Sequence, residues 1–227
     1  MNFQEMQSEA ELLYESIDSS DAPGFTGSEW GRFFTIAQRK VVLKILREGV
    51  NRDAFNMLAI EKLIKPDSYT SFIDSTHFRN TNGTVAKTLN VVGPGKPFNS
   101  KFFWVLDEYV NTTIVSNIKI VRITYDFYRS NLDNPFRVPD INEGFWMVQY
   151  NNLPVFITDG SVLTGYYVVA VEHPDNYPIV SGVTYDDNAS CLNVSVHPRI
   201  VEEAVTLARM SVVDAQGYQL ALAEFAK

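Results

Sequence analysis

Asn193-Val-Ser-Val-His-Pro-Arg-Ile-Val-Glu-Glu-Ala-Val-Thr-Leu-Ala-Arg-Met-Ser-Val-Val213 is the stretch whose reading decides the fold. Pro198 suits the first position of a helix, where its missing N–H costs nothing and its fixed φ fits. His197 stands just before it, where a helix cap belongs. Beyond them Ile200, Val201, Ala204, Val205, Ala208 and Val212 recur at three- and four-residue steps, with Arg199, Glu202, Glu203 and Arg209 between. This is an amphipathic helix with a narrow seam of small residues, which must be buried against other helices.

The strong candidates for that partner lie at the other end of the chain. Phe3, Met6, Ala10, Leu13 and Ile17 form one helical stripe, with Glu5, Glu9, Glu11 and Glu15 off it. Thr26-Gly-Ser-Glu29 has capping-box spacing and opens a second helix whose apolar face is Trp30, Phe33, Phe34, Ala37, Val41 and Ile45. A short third helix, capped by Asp53, runs through Leu58, Ile60 and Leu63 and stops at Pro66.

From Pro66 to about 190 the period changes. Thr, Val, Tyr, Phe and Asn dominate, and turn clusters such as Asn80-Thr-Asn-Gly83 and Gly93-Pro-Gly95 punctuate the runs. Strands are expected near Val85–Val92, Lys101–Tyr109, Asn117–Tyr125, Gly144–Tyr150, Leu153–Thr158 and Gly165–Val171, with Asn151-Asn152 as a tight hairpin turn. The expected fold is α+β: N- and C-terminal helices packed as a small bundle, with a large β-rich insertion between them. Residues 1–65 would be the N-terminal helical part of the core, 66–190 the inserted arm, and 191–227 the helix that completes the core.

Composition narrows the function. An apolar fraction of 45% supplies a packed interior, while a formal net charge of −8 argues against a sequence-independent nucleic-acid binder. Cys191 stands alone, which excludes an intrachain disulfide and a cysteine zinc site. No run approaches the roughly 20 apolar residues of a membrane span, and the first residues lack the basic start and apolar run of a signal peptide. Sequons at Asn82, Asn111, Asn188 and Asn193 would matter only in a secreted eukaryotic protein.

No chemistry-bearing pattern emerges. Gly93-Pro-Gly-Lys96 lacks the spacing and the following Ser or Thr of a phosphate-binding loop. His77, His173 and His197 fall in no metal-ligand pattern, so packing, loop or capping roles are expected. Asp107 and Glu108 point to opposite faces of a strand and cannot form an acid/base dyad, and Asp186-Asp187 reads as a solvated turn. No catalytic, cofactor or metal site is expected, and the chain reads as a non-enzyme. The clearest charge cluster is Arg39, Lys40, Lys44, Arg47 and Arg52. It either complements the C-terminal end of the second helix or forms a docking surface for an acidic partner or passing DNA. Asn134-Pro135-Phe136-Arg-Val-Pro139 can continue neither a helix nor a central strand and is expected as a structural loop.

Four blocks, in order, resemble a known family. Phe34-Thr-Ile-Ala-Gln-Arg-Lys-Val41 looks like a helix near the start of head–tail connector proteins of crAss-like tailed phages. Ile123-Thr-Tyr-Asp-Phe-Tyr128 with Asn134–Pro139 is similar to their mid-chain signature, and Tyr166–Val180 to the strand-then-proline element that follows. Cys191–Ala208 resembles their closing helix. Where that element usually carries basic residues before its prolines, this chain has Glu172, His173 and Asp175. The resemblance implies a virion structural protein made in the host cytoplasm. It would be a neck ring, commonly of twelve copies, that joins portal and capsid to tail and lines the channel through which DNA passes. Its implied partners are its own copies and the portal or adjacent ring proteins. A second reading, from Trp104, Trp146 and the many tyrosines, is a carbohydrate-binding β module of a tail or fibre. A third, an enzyme, requires a histidine in a cleft beside carboxylates.

Overall fold

The structure is a computed structural model that describes residues 1–15, 24–48, 54–75, 78, 84–89, 102–131, 134, 137–150 and 153–225. The chain divides into two compact units, Met1–Leu63 with His173–Lys227, and Ile64–Glu172. It is α+β.

The first unit contains α1 (Phe3–Glu15), α2 (Gly27–Glu48), α3 (Ala54–Ala59) and α5 (His197–Phe225). Reciprocal bonds start α1 and α2. Asn2 N donates to Glu5 Oε2 while Glu5 N donates to Asn2 Oδ1, both at 2.9 Å. Thr26 N donates to Glu29 Oε2 at 2.7 Å and Glu29 N donates back to Thr26 Oγ1 at 3.3 Å. The seam Ile200, Val201, Ala204, Val205 and Ala208 of α5 is buried, and α5 packs on both α1 and α2. Small residues there let the backbones approach, and the bulk comes from the other side: Trp30 stacks on Phe34 at 5.8 Å, and Phe3 meets Phe34 edge-on at 5.9 Å. The buried stripe of α1 ends at Tyr14 rather than Leu13, because Tyr14 turns edge-on to Trp30 at 6.2 Å. Ile17 and Asp53 lie outside the described residues.

This unit resumes at His173, earlier than the expected 190. Pro174–Leu192 contains no long strand; it is a series of turns, several of whose polar groups bond to α2.

The second unit is one sheet of eight strands in the order β1-β8-β4-β5-β6-β7-β3-β2. The strands are β1 (Ile64–Tyr69), β2 (Phe72–Asp74), β3 (Val85–Leu89), β4 (Phe102–Thr112), β5 (Ile118–Ile123), β6 (Phe145–Tyr150), β7 (Leu153–Thr158) and β8 (Leu163–Glu172). All neighbours pair antiparallel except β5 and β6, which are parallel. β1 and β2 are opposite edges of this sheet, yet only Thr70 and Ser71 separate them in sequence. Three virtual bonds reach at most about 11 Å, whereas the edges of a flat eight-stranded sheet would lie about 34 Å apart. The sheet must therefore curl on itself. Its interior is packed where the edges meet: Tyr69 stacks on Tyr166 at 6.0 Å, Tyr166 lies 5.0 Å from Phe156, and Phe156 meets Phe72 at 5.9 Å.

Neither β1 nor β2 was expected from the sequence. Pro66 argues for a break, but β1 is an edge strand, where a missing N–H is tolerated. The parallel step from β5 to β6 needs a crossover, and it contains α4 (Tyr125–Asn131) where strand and loop were expected. Thr124 Oγ1 caps α4 by accepting from Phe127 N at 3.2 Å. Phe78, Tyr128, Val148, Val155 and Ile157 cluster on the outer face of β6 and β7, and Phe145, Met147 and Phe156 fill the inner one. That alternation is the period-two pattern of a sheet buried on both sides. The residues of the expected Asn151-Asn152 turn and of the Gly93–Lys96 loop lie outside the described set.

Gly144 enters β6 at φ +107, and a Cβ there would lie 2.8 Å from the Lys119 carbonyl. Gly144→Ala is expected to lower stability by roughly 2–3 kcal/mol, read as a shift in the urea midpoint at constant slope.

Candidate interaction surfaces

One turn of α2 organises the first unit. Gln38 is fully buried. Its Nε2 donates to the Pro174 carbonyl at 3.2 Å and the Tyr177 carbonyl at 2.9 Å, and its Oε1 accepts from Ser190 Oγ at 2.6 Å. Three residues earlier, Thr35 Oγ1 accepts from Ile179 N at 3.0 Å and donates to Gly31 O at 2.9 Å. Positions i and i+3 share a helix face, so both brackets point at the same segment. Gly31 lets that segment close in, since a Cβ would sit 3.0 Å from the Ile179 carbonyl. The Cys191 thiol is buried and donates to Gln38 Oε1 at 4.0 Å. Gln38→Leu keeps the bulk but strands two carbonyls and a hydroxyl. It should cost about 2–4 kcal/mol of unfolding free energy, measured by chemical denaturation.

His197 caps the 3-10 turn Val194–Val196 at its C-terminal end, its backbone N–H donating to the Val194 carbonyl. It is the first residue of α5 with helical dihedrals, it is fully buried, and both ring nitrogens are taken up. Nε2 lies 3.2 Å from the Leu192 carbonyl and must donate, which leaves Nδ1 to accept from the Met1 nitrogen at 3.2 Å. Met1 N also donates to Asn188 Oδ1 at 3.0 Å, and Ala189 N donates to Met1 O at 3.0 Å. The ring thus ties the start of α1 to the start of α5, and Pro198 follows it inside the helix. His173 caps through its side chain, accepting from Asp175 N at 3.3 Å ahead of the 3-10 turn Pro174–Asn176. Burial, and then the charge on the Met1 nitrogen, push the His197 pKa down from its ordinary value. A depressed histidine pKa favours the neutral fold, so its contribution is complete above the unfolded value near 6.5 and is lost as pH falls below it. His197→Gln should flatten the decline in denaturation midpoint between about pH 6.5 and 5 relative to the parent protein.

The basic cluster on α2 is partly spent within the unit. Arg39 pairs with Asp175 at 3.1 Å, Lys40 with Glu203 at 2.8 Å, and Lys44 reaches Glu48 at 4.0 Å. Arg47 is exposed and forms no ion pair among the described residues. These pairs are solvent-exposed and each contributes about 0–1 kcal/mol, so they orient surfaces rather than hold the fold. Asp175, one of the acids that depart from the expected basic pattern, thus finds a cation on α2. Arg52 and His77 lie outside the described residues.

Beside this face is a groove of about 630 Å³, lined by Gly27, Gly31, Arg32, Ile36, Pro178 and Val180. Ile36 and Val180 are each 39% exposed, and α1 holds Leu12 out at 69%.

In the second unit, Asn134 accepts from Arg137 N at 3.2 Å and Pro139 is buried, while Pro135 and Phe136 lie outside the described residues. Glu108 takes a bidentate bond from Arg122 at 2.6 and 2.8 Å and a bond from the Tyr166 hydroxyl at 3.0 Å. The bidentate bond stabilises the charged guanidinium, while burial, and then the Glu108 carboxylate, push the Tyr166 pKa up. Asp107 turns to its own neighbour, Glu108 N, at 2.9 Å. Trp146 is covered by Phe127 at 5.7 Å, and Trp104 is 41% exposed in a cleft with Glu108 and Arg122. Among the described residues no group of His, Cys, Asp and Glu is arranged to hold a metal, and no helix is long and apolar enough to cross a membrane.

Comparison with known proteins supplies the family. A family model described as phage tail ring protein 3/4 matches residues 1–219. The chain belongs to this family. A relative, ring protein 4/5 of Bacteroides phage crAss001, is 25% identical over 235 residues, covering 92% of each chain. The crAss-like resemblance read from the four motif blocks is thereby established: this is a structural ring protein of a tailed phage, and not an enzyme. Membership makes it a subunit of a ring in the virion, assembled with other tail or neck proteins. The carbohydrate-binding alternative gains nothing from the comparison. The motif blocks carry bracing: Thr35 and Gln38 fall in the first, Thr124 and its capped helix in the second, and His197 in the last.

Proposed function

We propose that this ring lies in the phage neck, at the head–tail junction, where it joins portal and capsid to the tail. It is built of twelve copies, in contact with the portal or an adjacent ring. The observation that carries the reading is the match of residues 1–219 to a ring family, together with a first unit braced across both chain ends rather than built around a cleft. The terminal helices act as a small bundle that keeps each subunit's interfaces in fixed positions, and the β-rich unit is the inserted arm. DNA passes through the ring without sequence-specific binding. A subunit with a formal charge of −8 supports a wall that repels the phosphate backbone and lets it slide. Arg39, Lys40, Lys44 and Arg47 belong to a protein-docking face.

The test is the solution mass of the purified protein, alone and mixed with its phage's portal protein. A defined ring of twelve subunits that binds the portal is the expected result. A protein that forms rings but ignores the portal, and binds another tail protein instead, would place the ring farther down the tail.

A further inference from the structure

We infer that neighbouring copies in the ring meet through α1 of one and α2 of the next, with Leu12 of the first seated in the groove beside Ile36 of the second. The inference rests on the ring reading and assigns it a surface. A ring needs two different, complementary faces on each subunit, because the contact is head-to-tail. The first unit carries such a pair. α1 has Glu5, Glu9, Glu11 and Glu15 and no basic residue. Its outward face, at three- and four-residue steps, reads Glu5, Ser8, Leu12, Glu15. The outward face of α2 reads Arg32, Ile36, Lys40, Lys44. Arg32 has no ion pair among the described residues, and the Lys44 contact with Glu48 is loose at 4.0 Å.

The order of the residues sets the direction. Laid antiparallel, the two faces put Glu15 at Arg32, Leu12 at Ile36, Ser8 at Lys40, which keeps its internal partner Glu203, and Glu5 near Lys44. With a rise of about 1.5 Å per residue, Glu5 to Glu15 spans about 15 Å and Arg32 to Lys44 about 18 Å, so the pairs stay in step. Laid parallel with Leu12 on Ile36, the faces would put Glu15 at Lys40, which Glu203 already holds at 2.8 Å, and leave Lys44 beyond the last residue of α1. The antiparallel register seats the exposed leucine on the groove of Ile36, Pro178 and Val180 and gives Arg32 and Lys44, the cations not tightly paired within the subunit, an acid each. The pairing is one patch of a larger contact, since a stable interface buries more than two short helix faces.

The experiment exchanges the charges of one pair in the full chain. Glu15→Arg puts a cation in the last turn of α1, and Arg32→Glu an anion near the start of α2. Both suit the helix dipole, so neither should unfold the subunit. Mass photometry over a concentration series reads assembly. Each single variant should need roughly tenfold more protein for half-assembly. Mixing the two variants should restore it, because every interface can again pair unlike charges in an alternating ring. Leu12→Asp should weaken assembly with no such rescue. If either single variant assembles like the parent, or the mixture does no better than its parts, the interface is overturned while the ring stands. Variants that form rings normally but lose an adjacent ring protein would assign the surface to a different chain and overturn it equally. A parent protein that forms no ring, alone or with its portal, would remove the ring reading and this interface with it.

Discussion

The buried amide of Gln38 is the interaction on which the first unit depends. Helices at opposite ends of a chain can pack through apolar seams, but such seams tolerate sliding. An amide with three satisfied bonds does not, because a shift of one residue would strand each partner in an apolar interior. Gln38 therefore fixes where Pro174, Tyr177 and Ser190 lie on α2, and Thr35 fixes Ile179 beside them. His197 performs the corresponding task at the other pole by tying Met1 and Leu192 together. Arg209 adds a bond from its guanidinium to the Leu13 carbonyl at 2.8 Å.

Rigidity of this kind suits a ring. A head-to-tail contact repeats around the axis, so a small error in the angle between a subunit's two faces accumulates and prevents closure. Chemistry is not needed; fixed relative placement of surfaces is. This explains why the motif blocks map onto bracing groups and caps. The ion pairs of Arg39, Lys40 and Lys44 on α2 are exposed, and each is weak.

In the second unit the controlling constraint is the connection between β1 and β2. Two residues cannot bridge the width of a flat sheet, and the resulting curl creates an interior that Tyr69, Tyr166, Phe156 and Phe72 fill. The bidentate pair of Glu108 and Arg122 then links β4 to β5 where their ladder is confined to Tyr109–Lys119 and Val110–Ile118.

By itself the sequence determined the helices of the first unit, most of their buried seams and most of the strands, but not α4, because periodicity is a local property written into spacing. The seam from Ile200 to Ala208, the capping box at Thr26 and the strand Leu153–Thr158 could be read directly. It also determined the family, through the order of four short blocks, and with it the absence of catalysis. Only tertiary structure decided the roles of Gln38 and His197, whose partners lie about 140 and 200 residues away in the chain and leave no local mark. Strand β1 was hidden by Pro66, which is forbidden in a central strand and harmless at an edge, and edge position is not encoded locally. The basic cluster was legible as charge, but its division between internal pairs and a free face depended on where Asp175 and Glu203 come to rest. Burial and charge pairing are properties of neighbours in space, and the chain chooses those only when it folds.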